Sequence, residues 1–157
     1  MKKEKNVQKN DFIMDTCVAR RLLGNCNYLS PLKFRTDCDW KSSRILVPEQ
    51  VVYELGKQGV SLGELASAVR RSLGSKLYKI ESTPEEFSIS QTLLGGLSKL
   101  HAPDHFVLAA AVFKEAVLLT CDKNLALAAK VCGHITINPD MVHTNEFNIE
   151  HNWGLAA

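Results

Sequence analysis

Four carboxylates stand at telling places along the chain: Asp15 directly after Phe12-Ile13-Met14, Glu54 within 47–57, Asp104 after Ala102-Pro103, and Asp122 after Val117-Leu118-Leu119-Thr120-Cys121. Three of them sit where an apolar segment starts or stops, which is where a parallel sheet gathers its ligands. Converging carboxylates repel and raise one another's pKa unless a cation neutralises them, and a divalent metal is the simplest remedy. Oxygen-only ligands select Mg²⁺ or Mn²⁺ over zinc, and such sites keep waters that a phosphate can replace. Two ions about 4 Å apart can activate a water and stabilise the leaving oxygen of a phosphodiester, provided the closest carboxylates lie about 3 to 7 Å apart.

Each residue also has a plainer explanation. Asp15 and Asp122 can cap the helices that follow them, Asp104 can sit in a first helical turn for dipole reasons, and Glu54 can be a helix-flank residue paired with a Lys or Arg. The set is more informative than its members. Competing chemistries lack their signatures: the chain has no G-x-x-x-x-G-K-[ST] phosphate loop, no G-x-G-x-x-G fingerprint and no G-x-S-x-G elbow. His105 follows Asp104 in sequence but points roughly 100° away around a helix, and is read as structural.

The elements that must position these groups alternate between strand and helix. Residues 11–15 read as a strand buried on both faces, with a helix starting at Thr16. The segment 24–44 has no steady period and reads as a long loop or insertion, whose Lys33, Arg35, Lys41 and Arg44 could touch a ligand. Ile45-Leu46-Val47 predicts a strand, and Pro48 suits the first turn of a helix running to Lys57. Val51, Val52 and Leu55 give that helix its buried stripe, which Glu54 borders, so its carboxylate can lean inward. A helix over 62–73 stopped by Gly74, a strand over 76–80, and a helix from Thr83-Pro84-Glu85-Glu86 toward Leu100 follow. The segment 103–116 is apolar on nearly all sides and predicts a buried helix. Next come a strand over 117–120, a helix over 124–130 and a last strand over 135–137. This is an α/β pattern: an open parallel sheet with helices on both faces, three layers in all. In it Asp15 and Asp122 meet if their strands are neighbours, and Asp104 reaches the same edge because a crossover helix runs antiparallel to the sheet.

A chain of 157 residues fits one well-buried core. We divide it into a basic extension (1–10), a nuclease-like domain (11–140) and a tail (141–157) in which Phe147 and Trp153 can pin the chain down. A hydrophobic content of 45% with 23% charge is ordinary for a soluble protein, and the longest nearly apolar run, 106–113, is too short to cross a bilayer. No apolar signal core follows the charged start, so a cytoplasmic location is expected. Five cysteines without a C-x-x-C pair and five histidines without a fixed ligand spacing argue against a disulfide framework and a zinc site. The net charge of +2 hides 15 Lys/Arg against 8 Asp/Glu in residues 1–80, and 4 against 9 in residues 81–157. A basic half beside an acidic half suits a protein that attracts a polyanion with one face and holds cations with another.

At these residues the chain resembles the PIN domain, a small metal-dependent ribonuclease fold. The resemblance rests on Phe-Ile-Met-Asp15-Thr16, Val-Pro-Glu-Gln-Val-Val-Tyr-Glu54-Leu, Pro-Asp104-His-Phe-Val-Leu-Ala-Ala-Ala and Leu-Leu-Thr120-Cys-Asp122-Lys-Asn124-Leu, and spans about residues 11 to 138. It implies an acidic pocket at the carboxyl edge of a parallel sheet, with Asp15, Glu54, Asp104 and Asp122 as the catalytic and metal-binding set and Thr16 or Thr120 as polar supports. It also implies cleavage of single-stranded RNA, a homodimer, and kinship with the toxin half of toxin–antitoxin pairs, which brings an antitoxin protein as partner. Asn124 stands where many members carry a further acidic residue, which would weaken a second metal. The segment 24–44 and the tail after Pro139 lie outside the family's compact core.

The expectation is therefore a Mg²⁺/Mn²⁺-dependent endoribonuclease whose Arg20, Arg21 and Lys123 contact RNA phosphates. Solvated helix faces are the plain alternative for those three. An RNA-maturation nuclease and a non-catalytic PIN-like RNA- or protein-binding module are the competing functions.

Overall fold

Phe12, Ile13 and Met14 are all fully buried on successive positions of β1 (Asp11–Met14). Neighbouring strand residues point to opposite faces, so both faces of this strand are covered. The computed structural model, which describes residues 10–34, 38–96 and 104–144, places β1 at the centre of a five-stranded, wholly parallel sheet. The other strands are β2 (Arg44–Pro48), β3 (Lys76–Ile80), β4 (Val117–Leu119) and β5 (Thr136–Ile137), in the order β3-β2-β1-β4-β5. The basic extension up to residue 9, Arg35, His101 and the tail from 145 with Phe147 and Trp153 lie outside the described residues.

Among the described residues seven α-helices flank the sheet: α1 (Thr16–Gly24), α2 (Glu49–Lys57), α3 (Leu62–Leu73), α4 (Pro84–Gly96), α5 (Asp104–Lys114), α6 (Lys123–Val131) and α7 (Pro139–Thr144). Local chemistry sets several of their ends. Ser61 and Glu64 form a reciprocal capping box at the start of α3, and Gly74 closes it in the left-handed region at φ 81°. Pro48 ends β2 and serves as N-cap of α2, one position earlier than the first-turn role expected for it. In α2, Val51 and Leu55 are buried while Val52 is half-buried. The apolar α5 packs against β1, β2 and α4, as an all-round hydrophobic helix must. His105 is buried there, its Nδ1 paired with Ser90 Oγ; burial lowers its pKa and it stays structural, as expected.

Two segments differ from the expectation. The segment 24–44 is no free loop: it holds a short 3-10 helix (Ser30–Phe34) and sends Tyr28, Leu29, Leu32, Cys38 and Trp40 into the core. Trp40 stacks on Phe12 with ring centroids 4.5 Å apart and donates its Nε1–H to the Leu32 carbonyl at 2.9 Å. Irregular spacing hid these residues because a plug over the sheet has no period. The second difference is α7, which opens the region read as tail and packs against the 3-10 helix. Asp140 fastens it, accepting from Tyr28 Oη at 2.6 Å and from Arg21 Nη1 at 2.9 Å.

From β1 the chain steps outward through β2 to β3, then returns across to β4 on the other side of β1 before reaching β5. The reversal lies between β1 and β4. Open parallel sheets bind their ligands outside the carboxyl ends of the strands at such a reversal, because the connections diverge there and leave a crevice.

Candidate functional site

Asp15 follows β1 and Thr120 follows β4, and the strands pair in the register Ile13 with Leu118 and Met14 with Leu119. The Asp15 amide continues the ladder to the Leu119 carbonyl at 3.1 Å. This puts the two side chains together: Thr120 Oγ1 donates to Asp15 Oδ2 at 2.7 Å. Oδ1 of Asp15 accepts the Thr16 amide at 2.6 Å and so caps α1. The Cys17 thiol adds a third donor, to Oδ2 at 3.2 Å. Its hydrogen bond with Cys121, its burial and the Asp15 charge all push the Cys17 thiol up, which keeps the proton it donates. Asp15 is only 4% exposed, and burial outweighs these donors and raises its pKa, with the Asp122 charge adding to the rise.

Asp122 is the N-cap of α6, accepting the amides of Asn124 at 2.8 Å and Leu125 at 3.2 Å, while its own amide donates to Thr120 Oγ1 at 3.0 Å. Thr120 therefore bridges the two aspartates. Glu54 reaches the same place from α2, with Thr16 Oγ1 donating to its Oε1 at 2.6 Å. Asp104 arrives from the start of α5. Burial pushes its carboxyl up to about 7, and the charges of Asp15, Asp122 and Glu54 push in the same direction. All four carboxylates thus share one electrostatic site at the reversal of strand order, with Thr16 and Thr120 as their supports.

The donor set is all oxygen, and one of its members is driven toward its protonated form by burial and by the charges of the other three, an environment that a hard divalent cation relieves. Against this, among the described residues no three acidic, His or Cys side chains are drawn close enough to hold a metal ion. Asp15, Glu54 and Asp122 turn toward amides, hydroxyls and a thiol. In chemistry and placement the residues fit a divalent cation; in spacing they would have to draw closer to hold one.

The cations are less focused. Arg20 Nε reaches Gln58 Oε1 at 3.2 Å, Arg21 is tied to Asp140, and both side chains are exposed. Lys123 is exposed at the first residue of α6, and the exposed Asn124 contributes its backbone amide to Asp122. In the segment 24–44, Arg44 pairs with Asp11 through Nη2 at 2.5 Å, away from the acidic cluster at the opposite end of β1. Sequence reading missed Cys17 as a donor to Asp15 and Asp140 as the partner of Arg21. The signal for Cys17 was its place two residues after Asp15 in the first turn of α1; Asp140 left none, because its partners lie 119 and 112 residues away.

No protein-family model matches the chain, and no curated protein matches it in sequence. Solved structures do. VapBC2 from Rickettsia felis, bound to a DNA fragment from their promoter, aligns with TM-score 0.58 and 15% identity over 82% of this chain and 98% of that one. A PilT N-terminus domain protein from the hyperthermophilic archaeon Sulfolobus solfataricus P2 aligns with TM-score 0.53 and 14% identity over 85% and 91%. The chain has a PIN-domain fold. A domain of a functionally unknown protein from Methanocaldococcus jannaschii shares it, with TM-score 0.53 and 23% identity over 81% and 89%. Within this PIN fold the acidic cluster occupies the carboxyl edge at β1 and β4. Among the described residues no helix is long and apolar enough to cross a membrane.

Proposed function

We propose that the chain is a Mg²⁺- or Mn²⁺-dependent endoribonuclease that hydrolyses phosphodiester bonds in single-stranded RNA, and that it works as the toxin of a toxin–antitoxin pair. The observation that carries the nuclease reading is the bridge that Thr120 makes between Asp15 and Asp122 at the strand-order reversal, where Thr16 also holds Glu54, with the Asp104 carboxyl raised by burial and by these three charges. Glu54 and Asp104 would not be gathered here for capping, since capping needs only Asp15 and Asp122. The PIN fold and the likeness to VapBC2 support the pairing with an antitoxin.

Asp15, Glu54, Asp104 and Asp122 would hold the cation, which when bound supplies charge neutralisation and Lewis acidity toward phosphoryl oxygen and water. The chain's own residues do the rest. Thr120 and the Thr16 amide fix the Asp15 carboxylate, and Thr16 Oγ1 fixes Glu54, so two oxygen donors are held before any ligand arrives. The Asp104 carboxyl, pushed up by burial and repulsion, would be left ionised as the fourth ligand once the cation's charge offsets both. Lys123 at the head of α6, with Arg20 and Arg21 on α1, would neutralise phosphates on either side. A homodimer is part of this reading.

The test is cleavage of end-labelled single-stranded RNA in Mn²⁺ by the parent and by Asp15→Asn. The substitution removes charge and not volume, so activity falls at least a hundredfold while the circular dichroism spectrum is unchanged. Divalent cation raises the melting temperature of the parent more than that of the variant, because a ligand of the native state stabilises it. Equal shifts would remove Asp15 from the site. One observation favours a second reading, a non-catalytic RNA- or protein-binding module: no three candidate ligands stand at coordinating distance among the described residues. Cation-independent RNA binding without cleavage would establish it.

A further inference from the structure

Beside the acidic cluster lies an open groove of about 620 Å³, walled by Gln50, Tyr53, Glu54 and Lys57 of α2, Phe87 of α4 and Phe106 of α5. Residues 50, 53, 54 and 57 share one helix face by their spacing, opposite the stripe that buries Val51 and Leu55. Across from them Phe87 and Phe106 meet edge to face, with centroids 5.3 Å apart. Tyr53 is 68% exposed and Phe87 46% exposed. Single exposed rings are ordinary, but two exposed rings and the half-buried Phe106 around one cavity among the described residues mark a place that receives a flat apolar group.

We propose that this groove is a nucleobase-stacking subsite for single-stranded RNA, holding a base next to the phosphodiester presented to the carboxylates. The inference rests on the nuclease reading and goes beyond it by assigning residues to the base. Three observations favour a base. Glu54 belongs both to the groove and to the acidic cluster, so a base here and a phosphate there belong to adjoining parts of one strand. Glu49 and Glu54 against Lys57 leave the walls net acidic, which turns phosphate away from the groove and accepts a neutral ring. Lys57 Nζ stands 4.9 Å from the Tyr53 centroid, placed to meet a phosphate at the rim. Finally, Gln50 Oε1 is buried without a hydrogen-bond partner, while Gln50 Nε2 donates to Ser82 Oγ at 2.8 Å. A buried acceptor left unmet is costly, and a turn of the Gln50 amide into the groove it lines would let the exocyclic amine or ring N–H of a base supply the missing donor. An extended peptide would bring a backbone donor and acceptor at every residue, and the groove has one unmet group to offer them.

The experiment measures affinity of the full chain for a fluorescent single-stranded RNA in Ca²⁺, across a salt series, for the parent and for Tyr53→Ala, Phe87→Ala and Tyr53→Phe. Each alanine variant is expected to bind on the order of tenfold more weakly, as loss of a base–aromatic stack does. The slope of affinity against salt should not change, because no phosphate contact is lost. Tyr53→Phe keeps the ring and binds like the parent. An abasic nucleotide walked along the RNA should, at one position, abolish the difference between parent and Tyr53→Ala. If the parent binds RNA and both alanine variants bind equally well, the subsite is overturned, the nuclease reading stands, and the groove is left to a protein ligand. If the parent binds no RNA under any salt condition, both the subsite and the reading beneath it fall.

Discussion

Asp104→Asn should stabilise the cation-free protein at pH 8 and leave its stability at about pH 4 nearly unchanged. The carboxyl is raised from 3.8 to about 7, so the folded chain holds a proton that the unfolded chain has released over that window. Stability from this proton is fully present below about pH 4 and is lost as pH rises to about 7. At about 1.4 kcal/mol for each tenfold change in proton affinity, the ceiling is about 4 kcal/mol. Asp104 is partly exposed, and water and salt screen its neighbours, which reduces the figure to about 2 kcal/mol. Asparagine removes the repelled charge but also forfeits about 0.5 kcal/mol of interaction between the carboxylate and the start of α5. The balance at pH 8 is a gain of about 1 to 2 kcal/mol, or a rise of about 2 to 6 °C in Tm. The assay is urea denaturation of parent and variant in chelator from pH 4 to 8; subtracting the two curves cancels the opposite trend from His105, whose depressed pKa costs stability as pH falls. Saturating Mn²⁺ should then reverse the order, because the parent gains more from the cation. A difference between parent and variant that does not depend on pH would refute the electrostatic account of the site.

Thr16→Val is nearly isosteric, and it removes the donor 2.6 Å from Glu54; affinity for Mn²⁺ by calorimetry should fall about tenfold, in line with loss of a group that orients a ligand, and unchanged affinity would take Glu54 out of the cation site. Trp40→Ala should cost about 3 to 5 kcal/mol in urea denaturation, because it empties the contact with Phe12 and leaves the Leu32 carbonyl unpaired; a loss under about 1 kcal/mol would return the segment 24–44 to the status of a loop. Arg20→Gln and Lys123→Gln should each lower the slope of RNA affinity against salt by about 1, with Arg21→Gln giving less because Asp140 already holds it. Equal slopes throughout would move the RNA path to the cations of the segment 24–44.

The fold was legible where local chemistry decides it. The apolar runs before Asp15 and Asp122 are strands because both sheet faces are covered, and α3 was readable to the residue because Ser61 and Gly74 mark its ends. What could not be read was held by contacts distant in sequence. Trp40 belongs to the core through Phe12, 28 positions away by subtraction, and α7 through Tyr28 and Arg21 at the far end of the chain. No window of periodicity contains such partners. The groove beside Glu54 was hidden for the same reason: Tyr53 looks like an ordinary exposed aromatic until Phe87 and Phe106 come across from two other helices.

The site itself was legible because two explanations that looked like rivals are one. Asp15 and Asp122 do cap helices, and capping turns each carboxylate toward the amides at the head of α1 or α6. Those helices begin at the carboxyl ends of adjacent strands, so capping both is what brings the two charges to one edge, with Thr120 between them. Glu54 joins with a hydroxyl donor of its own. Among the described residues no hydrogen bond reaches the carboxyl of Asp104, and it is there that the proton settles. Burial, together with the repulsion that its three supported neighbours generate, raises the carboxyl that has no donor of its own. Removing Asp104's charge should therefore relax the cluster. Asparagine at Asp15 also relieves a charge that burial disfavours, but its amide group meets three donors with one acceptor fewer, which offsets that relief. A larger gain in stability for Asp104→Asn than for Asp15→Asn, measured without cation at pH 8, is the outcome this arrangement requires.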